Sequence, residues 1–162
     1  MTGNTMPPIV IDTREKTPFD FGTDVRTTAG TLDTGDYSLA GLEEFAAIER
    51  KSLPDLCACV TRDRDRFTRE LHRLQAYRCR AVIIEADVAE VVQEEYRSKV
   101  AATAVIASVA AWTVRYRTPF MFCGKHGGTV CLQLLRQFNA YIERVVAAVA
   151  QDGASAEGQV GQ

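Results

Sequence analysis

The stretch GDYSLAGLEEFAAIERKSLPD, residues 35–55, decides how this chain folds. Two short apolar runs within it flank a loop that contains a glycine, a pattern that predicts a β-hairpin. Successive side chains of a strand point to opposite faces, so Glu49 and Lys51 share one face. The hairpin also brings Asp36 alongside Glu49. The stretch therefore predicts two carboxylates and one ammonium group in one place.

An α/β scaffold is predicted around this hairpin. Upstream, the β-branched run 9–11 indicates a buried strand that ends at Asp12, whose carboxylate could join the other two. Downstream, 81–85 has the continuous apolar character of a strand in a parallel sheet. Ser52 caps a first helix, and apolar residues at helical spacing over 67–77 predict a second. The alternation of strands and helices indicates an α/β domain.

The remaining elements are assigned from the same kinds of pattern. They are two strands, at 25–28 and 119–122, and three helices, at 88–96, at 98–114 with Ser98 as the cap, and at 129–149. The domain is expected to span residues 9–149. The two ends, 1–8 and 150–162, are poor in large apolar residues, and we expect a flexible N-terminus and a disordered C-terminal tail.

Composition places the chain among ordinary globular domains. It has 162 residues, of which 46% are hydrophobic and 25% charged, and a formal net charge of -2. No apolar run approaches the roughly 20 residues of a membrane span, and the first residues lack the features of a signal peptide. We therefore expect no membrane association and an intracellular protein, cytoplasmic or nucleoid-associated and not secreted.

The five cysteines are an odd number in apolar surroundings, which favours reduced thiols over a disulfide framework. A zinc site from Cys57, Cys59, Cys123 and His126 is the alternative, although this spacing matches no standard ligand pattern. Because the net charge is close to zero, any affinity for nucleic acid must come from a local basic patch.

The predicted group of carboxylates has a chemical implication. Crowded carboxylates repel one another, and a divalent cation among them removes the repulsion. Hard oxygen ligands at this density suit Mg²⁺ or Mn²⁺, which complete their shells with phosphate oxygens. Lys51 could then orient or help deprotonate the attacking water, or neutralise charge on phosphorus. Gly-Asp alone is commonly a turn and Glu-x-Lys a solvated strand face, so only their joint pattern favours hydrolysis of a phosphodiester.

The joint pattern resembles a known family. Asp-x-Arg-Glu at 12–15, Gly-Asp-Tyr at 35–37 and Glu-Arg-Lys-x-x-x-Asp at 49–55 are similar to the motifs of XPF-type structure-specific endonucleases, in which GD is followed by ERKxxxD. The resemblance covers about 9–146. It implies the restriction-endonuclease-like, PD-(D/E)xK fold, a central mixed β-sheet flanked by α-helices. It also implies a metal-dependent DNA endonuclease acting on branched or distorted DNA in repair or recombination.

The resemblance also assigns roles to individual residues. The catalytic set is Asp36, Glu49 and Lys51, the metal ligands for Mg²⁺ or Mn²⁺ are Asp12, Asp36 and Glu49, and the supporting residues are Arg14, Glu15, Arg50 and Asp55. Two of the supporting residues have an architectural interpretation as well. Asp55 is a natural partner of Ser52 at the helix start, and Arg50 could be the ion-pair partner of Asp55.

A basic segment follows the motif. Its arginines could be merely solvated on a helix surface, but beside a nuclease site they are better explained as phosphate contacts. The predicted DNA-binding residues are Arg62, Arg64, Arg66, Arg69 and Arg73. Larger family members add a helicase-like region or a tandem helix-hairpin-helix domain, for which these 162 residues leave no room. The resemblance by itself therefore does not predict that this chain prefers junctions or flaps.

Two alternatives stay open at this point. The chain could be a non-catalytic DNA-binding or scaffold partner in a nuclease heterodimer, although such a partner has no chemical need for intact Asp36, Glu49 and Lys51. It could also be a nuclease for RNA or for single strands. The apolar helix around 101–114 and the apolar stripe that ends at Val149 further predict self-association, as a homodimer.

Overall fold

The structure is a computed structural model that describes residues 6–157. Predictions for 1–5 and 158–162 lie outside the described residues. The strands are β1 (Ile9–Asp12), β2 (Thr27–Gly30), β3 (Tyr37–Leu39), β4 (Ala46–Ser52), β5 (Cys79–Glu85) and β6 (Phe120–Phe122). The α-helices are α1 (Leu53–Val60), α2 (Arg64–Leu74), α3 (Val88–Val92), α4 (Ala102–Tyr116) and α5 (Gly127–Glu157). A 3₁₀ turn, Gly124–His126, precedes α5.

One mixed sheet holds the six strands in the order β2-β1-β3-β4-β5-β6. β1 is parallel to β2 and antiparallel to β3, which pairs antiparallel with β4 in the predicted hairpin. β4, β5 and β6 are parallel. The pairing of β4 with β5 runs from Ala46 opposite Cys79 to Ser52 opposite Glu85. The predicted fold class, a central mixed sheet flanked by helices, is confirmed.

Each face of the sheet has its own hydrophobic core because side chains alternate along the strands. Ala47 lies on the face covered by α1, α2 and α4, and Ile48 lies on the face covered by α5. The alternation continues along β4, so Glu49 and Lys51 lie on the α2 side and Arg50 lies on the α5 side. The sheet thus separates neighbouring residues of one motif.

The first helix begins as the sequence predicts, and the second packs as predicted but runs from Arg64 to Leu74 instead of over 67–77. Ser52 is the N-cap of α1, where its Oγ accepts the Asp55 N–H at 3.3 Å and donates to the Asp55 carboxylate at 2.6 Å. This contact satisfies one of the free N–H groups of the first turn. The buried side chains of α2 are Phe67, Leu71 and Leu74, the apolar residues at helical spacing.

The boundary between α3 and α4 differs from the prediction. α3 ends at Val92 instead of continuing to 96, and α4 begins at Ala102. Ser98 does not cap α4, since its Oγ accepts the Val100 N–H at 3.3 Å. The Ala102 N–H is instead bound by the carboxylate of Glu94 at 2.9 Å. A side chain from the preceding loop therefore takes the place of the predicted cap.

The last helix is longer than the apolar stripe predicts. α5 runs from Gly127 to Glu157, so 150–157, which were expected in a disordered tail, are helical. These residues include one glycine and no proline, and nothing in them forces a helix to stop. β2 lies two residues later than the predicted 25–28. Within residues 6–157, no helix has the length and apolar character needed to cross a bilayer.

Candidate active site

Gly35 and Asp36 lie close against the backbone of β4. Gly35 has a φ of +81°, and a Cβ placed there would lie 3.1 Å from the oxygen and 3.2 Å from the nitrogen of Ile48. Glycine therefore suits both the conformation and the space. The Asp36 N–H donates to the Ile48 carbonyl at 2.8 Å, and its carboxylate accepts the Arg50 N–H at 2.8 Å. The Gly-Asp pair thus fastens a carboxylate to β4.

Glu49 and Lys51 form a buried ion pair on the α2 side of β4. Glu49 is 3% exposed and Lys51 is 8% exposed, and the Lys51 ammonium directly contacts the Glu49 carboxylate. A second carboxylate, that of Glu70 on α2, places its Oε2 3.6 Å from Lys51 Nζ. The ammonium also lies 5.1 Å from the centre of the Phe67 ring. We call Asp36, Glu49 and Glu70 the carboxylate cluster.

Burial and crowding shift the ionisation of this site. Burial raises the pKa of Asp36 from its ordinary 3.8 to about 6, although the Arg50 N–H and the Lys51 charge oppose the shift. Burial also raises the pKa of Glu49, and repulsion from Asp36 and Glu70 adds to the effect. Burial alone would lower the pKa of Lys51, but the charges of Glu49 and Glu70 outweigh it and raise that pKa. The cluster therefore has more carboxylates than cations, an arrangement that favours binding of a further cation.

Asp12, the predicted third metal ligand, has a carboxylate that accepts four hydrogen bonds from the protein. Its buried carboxylate accepts hydrogen bonds from the N–H, Nε and Nη2 of Arg14 at 2.9, 2.7 and 3.0 Å, and from the Leu32 N–H at 2.8 Å. These bonds, first those of the Arg14 side chain, lower the pKa of Asp12 to about 2. The Asp12 N–H donates to the Asp36 carbonyl at 2.9 Å, so its backbone does border the site. Its carboxylate organises the loop after β1.

Arg14 lies at the open side of the cluster. Its side chain is 68% exposed. Its pKa is raised first by the hydrogen bond to Asp12, and the charges of Asp36 and Glu49 contribute as well. An exposed guanidinium within electrostatic reach of these carboxylates is suited to bind a phosphate group next to them.

The Arg50 side chain lies on the opposite face of the sheet, the α5 side. Its Nη1 donates to both carboxylate oxygens of Glu15 at 3.2 Å, and its Nη2 lies 2.5 Å from Glu85 Oε2. Arg50 therefore links the loop after β1 to the end of β5, and sequence reasoning had not singled out Glu85. The suggested ion pair between Arg50 and Asp55 is wrong, because Asp55 is held by Ser52 at the start of α1.

The predicted DNA-binding arginines fall into two groups. Arg64 turns toward the domain, where its Nη1 donates to the Val60 carbonyl at 3.2 Å and to Ser108 Oγ at 3.1 Å. Its guanidinium also lies 5.2 Å from the centre of the Trp112 ring. All five arginines are exposed, and the four without these contacts to α1 and α4 are Arg62, Arg66, Arg69 and Arg73. Arg64 therefore contributes to the packing of α2 on α4 through these contacts, while its role in DNA binding stays a prediction.

Three of the exposed arginines form a stripe on α2. Arg66, Arg69 and Arg73 follow one another at spacings of three and four residues, so they lie on one side of the helix. We call these three residues the arginine stripe. Glu70 comes four residues after Arg66 and three before Arg73, at the border between the stripe and the buried face. The arginine stripe therefore runs past the carboxylate cluster.

Glu70 is the candidate functional residue that sequence reasoning missed. It lies in the basic segment, where a lone acid resembles any solvated helix residue. The available signal is its spacing, three residues after Phe67 and directly before Leu71, which places it at the edge of the buried face. The helix pattern does not show which strand packs against that edge, so it does not predict that Glu70 lies near Lys51.

The donors of this site fit a divalent cation. Glu49 on β4 and Asp36, directly before β3, present two hard carboxylates, and Mg²⁺ is usually bound by one or two carboxylates together with waters and phosphate oxygens. Across residues 6–157, no group of three or more His, Cys, Asp or Glu side chains is arranged to hold a metal by itself. The alternative zinc site is therefore not assembled, and the five cysteines are free thiols, as expected.

Comparison with known proteins identifies the family of this domain. The profile of the ERCC4 domain matches residues 11–130. The chain belongs to the ERCC4 domain family. The matched range contains both halves of the motif, the carboxylate cluster and the arginine stripe, so the resemblance to XPF-type nuclease domains is confirmed. Membership places the chain among domains of DNA-repair nucleases.

Two solved structures are similar in fold. XPF from Aeropyrum pernix matches with a TM-score of 0.63 at 21% identity, over 87% of this chain and 69% of that chain. XPF from Aeropyrum pernix in complex with DNA matches with a TM-score of 0.63 at 22% identity, over 81% of this chain and 64% of that chain. At these identities the likeness shows the fold, that of the XPF nuclease domain. No curated protein sequence matches the chain.

Proposed function

We propose that this domain is a metal-dependent endonuclease that hydrolyses phosphodiester bonds in branched or distorted DNA during repair or recombination. The observation that carries the proposal is the buried contact of Glu49 with Lys51 beside Asp36, directly next to the exposed arginine stripe. Membership of the ERCC4 domain family supports it. One surface then combines three features. Asp36 and Glu49 can bind a divalent cation, Lys51 provides a positive charge, and the arginine stripe can contact a phosphate backbone.

Mg²⁺ or Mn²⁺ is the cofactor that this donor set suits, with Asp36 and Glu49 as the ligands. When bound, such an ion polarises the scissile phosphate and activates the attacking water. Asp36 is ready to bind because contacts to β4 hold both its backbone and its carboxylate. Glu49 is ready because a buried carboxylate gains strongly from a compensating cation. Asp12 acts indirectly in this proposal, by holding Arg14.

Lys51 is the catalytic cation of the proposal. Its neighbours Glu49 and Glu70 keep it protonated, so it is suited to stabilise negative charge on the phosphate and not to accept a proton. Because packing between β4 and α2 already fixes the ammonium, little reorganisation is needed during the reaction. Arg14, exposed at the same edge, contacts a neighbouring phosphate oxygen.

The arginine stripe supplies affinity for DNA in this proposal, and Arg62, two residues before α2, contributes as well. Phosphate contacts from arginines fix the position of a duplex but carry no sequence information. They therefore agree with a nuclease that selects a DNA structure. XPF from Aeropyrum pernix has been solved in complex with DNA, which supports DNA as the ligand of this fold. We further place the activity inside the cell, in the cytoplasm or at the nucleoid, and propose a homodimer through α5.

A second candidate function is a non-catalytic DNA-binding or scaffold partner in a nuclease heterodimer. The observation that favours it is the direct contact of Lys51 with Glu49, which neutralises both groups without a metal ion. In that case the arginine stripe still binds DNA, and the carboxylate cluster serves only to hold α2 against β4.

Cleavage assays distinguish the two functions. Purified parent protein is incubated with Mg²⁺ or Mn²⁺ and a panel of flap, fork, linear duplex, single-stranded and RNA substrates. We expect cutting of the flap or fork DNA, and a loss of at least about 100-fold in rate for Asp36→Asn and for Lys51→Ala. Glu43→Gln, at the exposed tip of the hairpin, is the matched control and should cut like the parent.

Cutting that persists after either substitution contradicts the assigned site. Mg²⁺ binding measured by calorimetry, with no cutting of any substrate, supports the scaffold function instead. Preferential cutting of single strands or RNA would leave the chemistry in place and change the substrate class.

A further inference from the structure

Glu70 is the member of the carboxylate cluster that the proposed function leaves without a role. Its side chain is 16% exposed, and its Oε2 lies 3.6 Å from Lys51 Nζ. Its negative charge also acts on Glu49, whose pKa it helps to raise. Lys51 therefore has two carboxylate partners, one on its own strand and one on α2.

These two partners stop being equivalent once Glu49 binds a cation. A carboxylate that is shared with a divalent ion attracts the ammonium less, and the two positive charges repel each other. Glu70 has no ligand role in the proposed function, so its charge stays available to Lys51. The ammonium already lies 3.6 Å from Glu70 Oε2, so a small adjustment of the lysine stem is enough to pair the two groups.

We propose that Glu70 positions Lys51 in the metal-loaded site, by holding its ammonium beside the reacting phosphate while Glu49 is engaged as a ligand. The inference rests on the proposed function and adds to it a residue from outside the motif. Glu70 is a positioning residue, because it acts through Lys51 and touches neither the substrate nor the reacting atoms.

A structural role alone does not account for Glu70. The helix is anchored by Phe67, Leu71 and Leu74, which are fully buried, so α2 needs no ion pair to stay on the sheet. Largely removing a carboxylate from water is costly unless a matched cation compensates. Lys51 is that cation. Since the arginine stripe lies on the same helix, DNA bound there would also fix the contact between Glu70 and Lys51.

Glu70→Gln tests the proposal, because it removes the charge and keeps the shape. Asp65→Asn is the matched control, an equal change of charge at an exposed position of α2. Single-turnover cleavage at saturating Mg²⁺ should fall at least about tenfold in Glu70→Gln, with unchanged DNA affinity, and should keep the parent rate in Asp65→Asn. In a Lys51→Met background, Glu70→Gln should add no further loss, because its effect passes through the lysine.

A second readout needs no activity. The chain has four lysines, so the ammonium signals in nitrogen-15 spectra are simple to assign, and an ion pair makes such a signal visible by slowing proton exchange. Without Mg²⁺ we expect the Lys51 signal in parent and Glu70→Gln alike, because Glu49 holds the ammonium. With Mg²⁺ the signal should persist in the parent and in Asp65→Asn and disappear in Glu70→Gln.

The outcomes separate this inference from the proposed function. A parent that cuts no DNA contradicts the proposed function, and the Lys51 signal in Mg²⁺ then decides the inference alone. A Glu70→Gln variant that keeps the parent rate, or keeps the signal in Mg²⁺, overturns the inference. An equally large loss in the Lys51→Met background also overturns it. If Glu70→Gln does not fold, Glu70→Asp should keep the signal and lose part of the rate, and an unchanged rate would count against the proposal.

Discussion

Asp36 illustrates how burial prepares one carboxyl group for a cation. Because burial raises its pKa to about 6 from an ordinary 3.8, the folded protein binds more protons than the unfolded chain between these values. The free energy of unfolding therefore falls as the pH rises through this window. Above about pH 6 the full cost of ionising Asp36 is present, and a bound divalent cation offsets it.

The first prediction concerns Asp36→Asn in the presence of a chelator. The variant removes the cost of ionisation and keeps an oxygen that accepts the Arg50 N–H. Its gain in the free energy of unfolding should grow from a fraction of 1 kcal/mol near pH 4 to about 2–3 kcal/mol near pH 8. Denaturant unfolding at both pH values measures it. Asp33→Asn, an exposed neighbour, should show no such trend, and a gain for Asp36→Asn that is equal at both pH values would contradict burial as the cause.

A second prediction at this scale concerns Gly35→Ala, with Gly41→Ala as its control. Both glycines have a φ of +81°, but a Cβ at Gly41 meets nothing within 4 Å, whereas one at Gly35 meets the backbone of Ile48. Each variant bears the cost of a left-handed conformation, about 1–3 kcal/mol. Gly35→Ala should lose more stability, and calorimetry should show weakened Mg²⁺ binding because Asp36 is displaced from β4. Equal losses for the two variants would show that the close approach is unimportant.

At the scale of elements, α2 brings three tasks together. Its buried residues, Phe67, Leu71 and Leu74, seat the helix on the sheet. Glu70, at the edge of that face, contacts Lys51 of β4. The arginine stripe lies on the exposed side. A helix can combine these tasks because residues three or four apart share a face, while neighbouring residues point in different directions.

The prediction for α2 concerns the salt dependence of DNA binding. Changing any one residue of the arginine stripe to glutamine should reduce the slope of log affinity against log salt concentration by about one, because each change removes one phosphate contact. Fluorescence anisotropy with labelled fork DNA measures the slope. Arg64→Gln is the matched control on the same helix. It should leave the slope unchanged and instead lower the melting temperature, because it loses the contacts with Val60, Ser108 and Trp112. A slope unaffected by changes in the stripe would place DNA on another surface.

For the whole molecule, the sheet order explains how distant parts of the motif meet. The hairpin of β3 and β4 is central, with β1 on one side and β5 on the other. The loop after β1, the start of β3 and the end of β4 are therefore adjacent although they are far apart in the chain. On the other face, α5 covers the sheet and carries an apolar group near its end, with Val145, Val146 and Val149 exposed by 40%, 62% and 65%.

The prediction for the whole molecule is self-association through this end of α5. Burying exposed valines between two copies removes apolar surface from water, and a charged residue there opposes it. The parent should have the mass of a dimer in light scattering at high concentration, and Val146→Glu with Val149→Glu should have the mass of a monomer. Val114→Glu, an exposed valine on α4 with 80% exposure, should stay dimeric. A monomeric parent would contradict the prediction.

Features that depend on close neighbours in the chain were predictable. The alternation of side chains along β4 placed Glu49 with Lys51, and the serine before α1 predicted its first residue. Features that depend on contacts from elsewhere were not. α4 begins where the carboxylate of Glu94 reaches its first N–H, and no pattern around Ser98 encodes that contact.

The sequence alone determined the motif and the family. It also determined on which face of β4 Glu49, Arg50 and Lys51 lie. All three follow from residue types and their spacing. Only the tertiary structure decided which acids meet. Asp12 binds Arg14 and Leu32, while Glu70, from a helix that looked merely basic, takes its place near Lys51. The reason is physical: the partner of a carboxylate is set by how helices and strands from distant parts of the chain pack, and spacing along the chain does not record those distances.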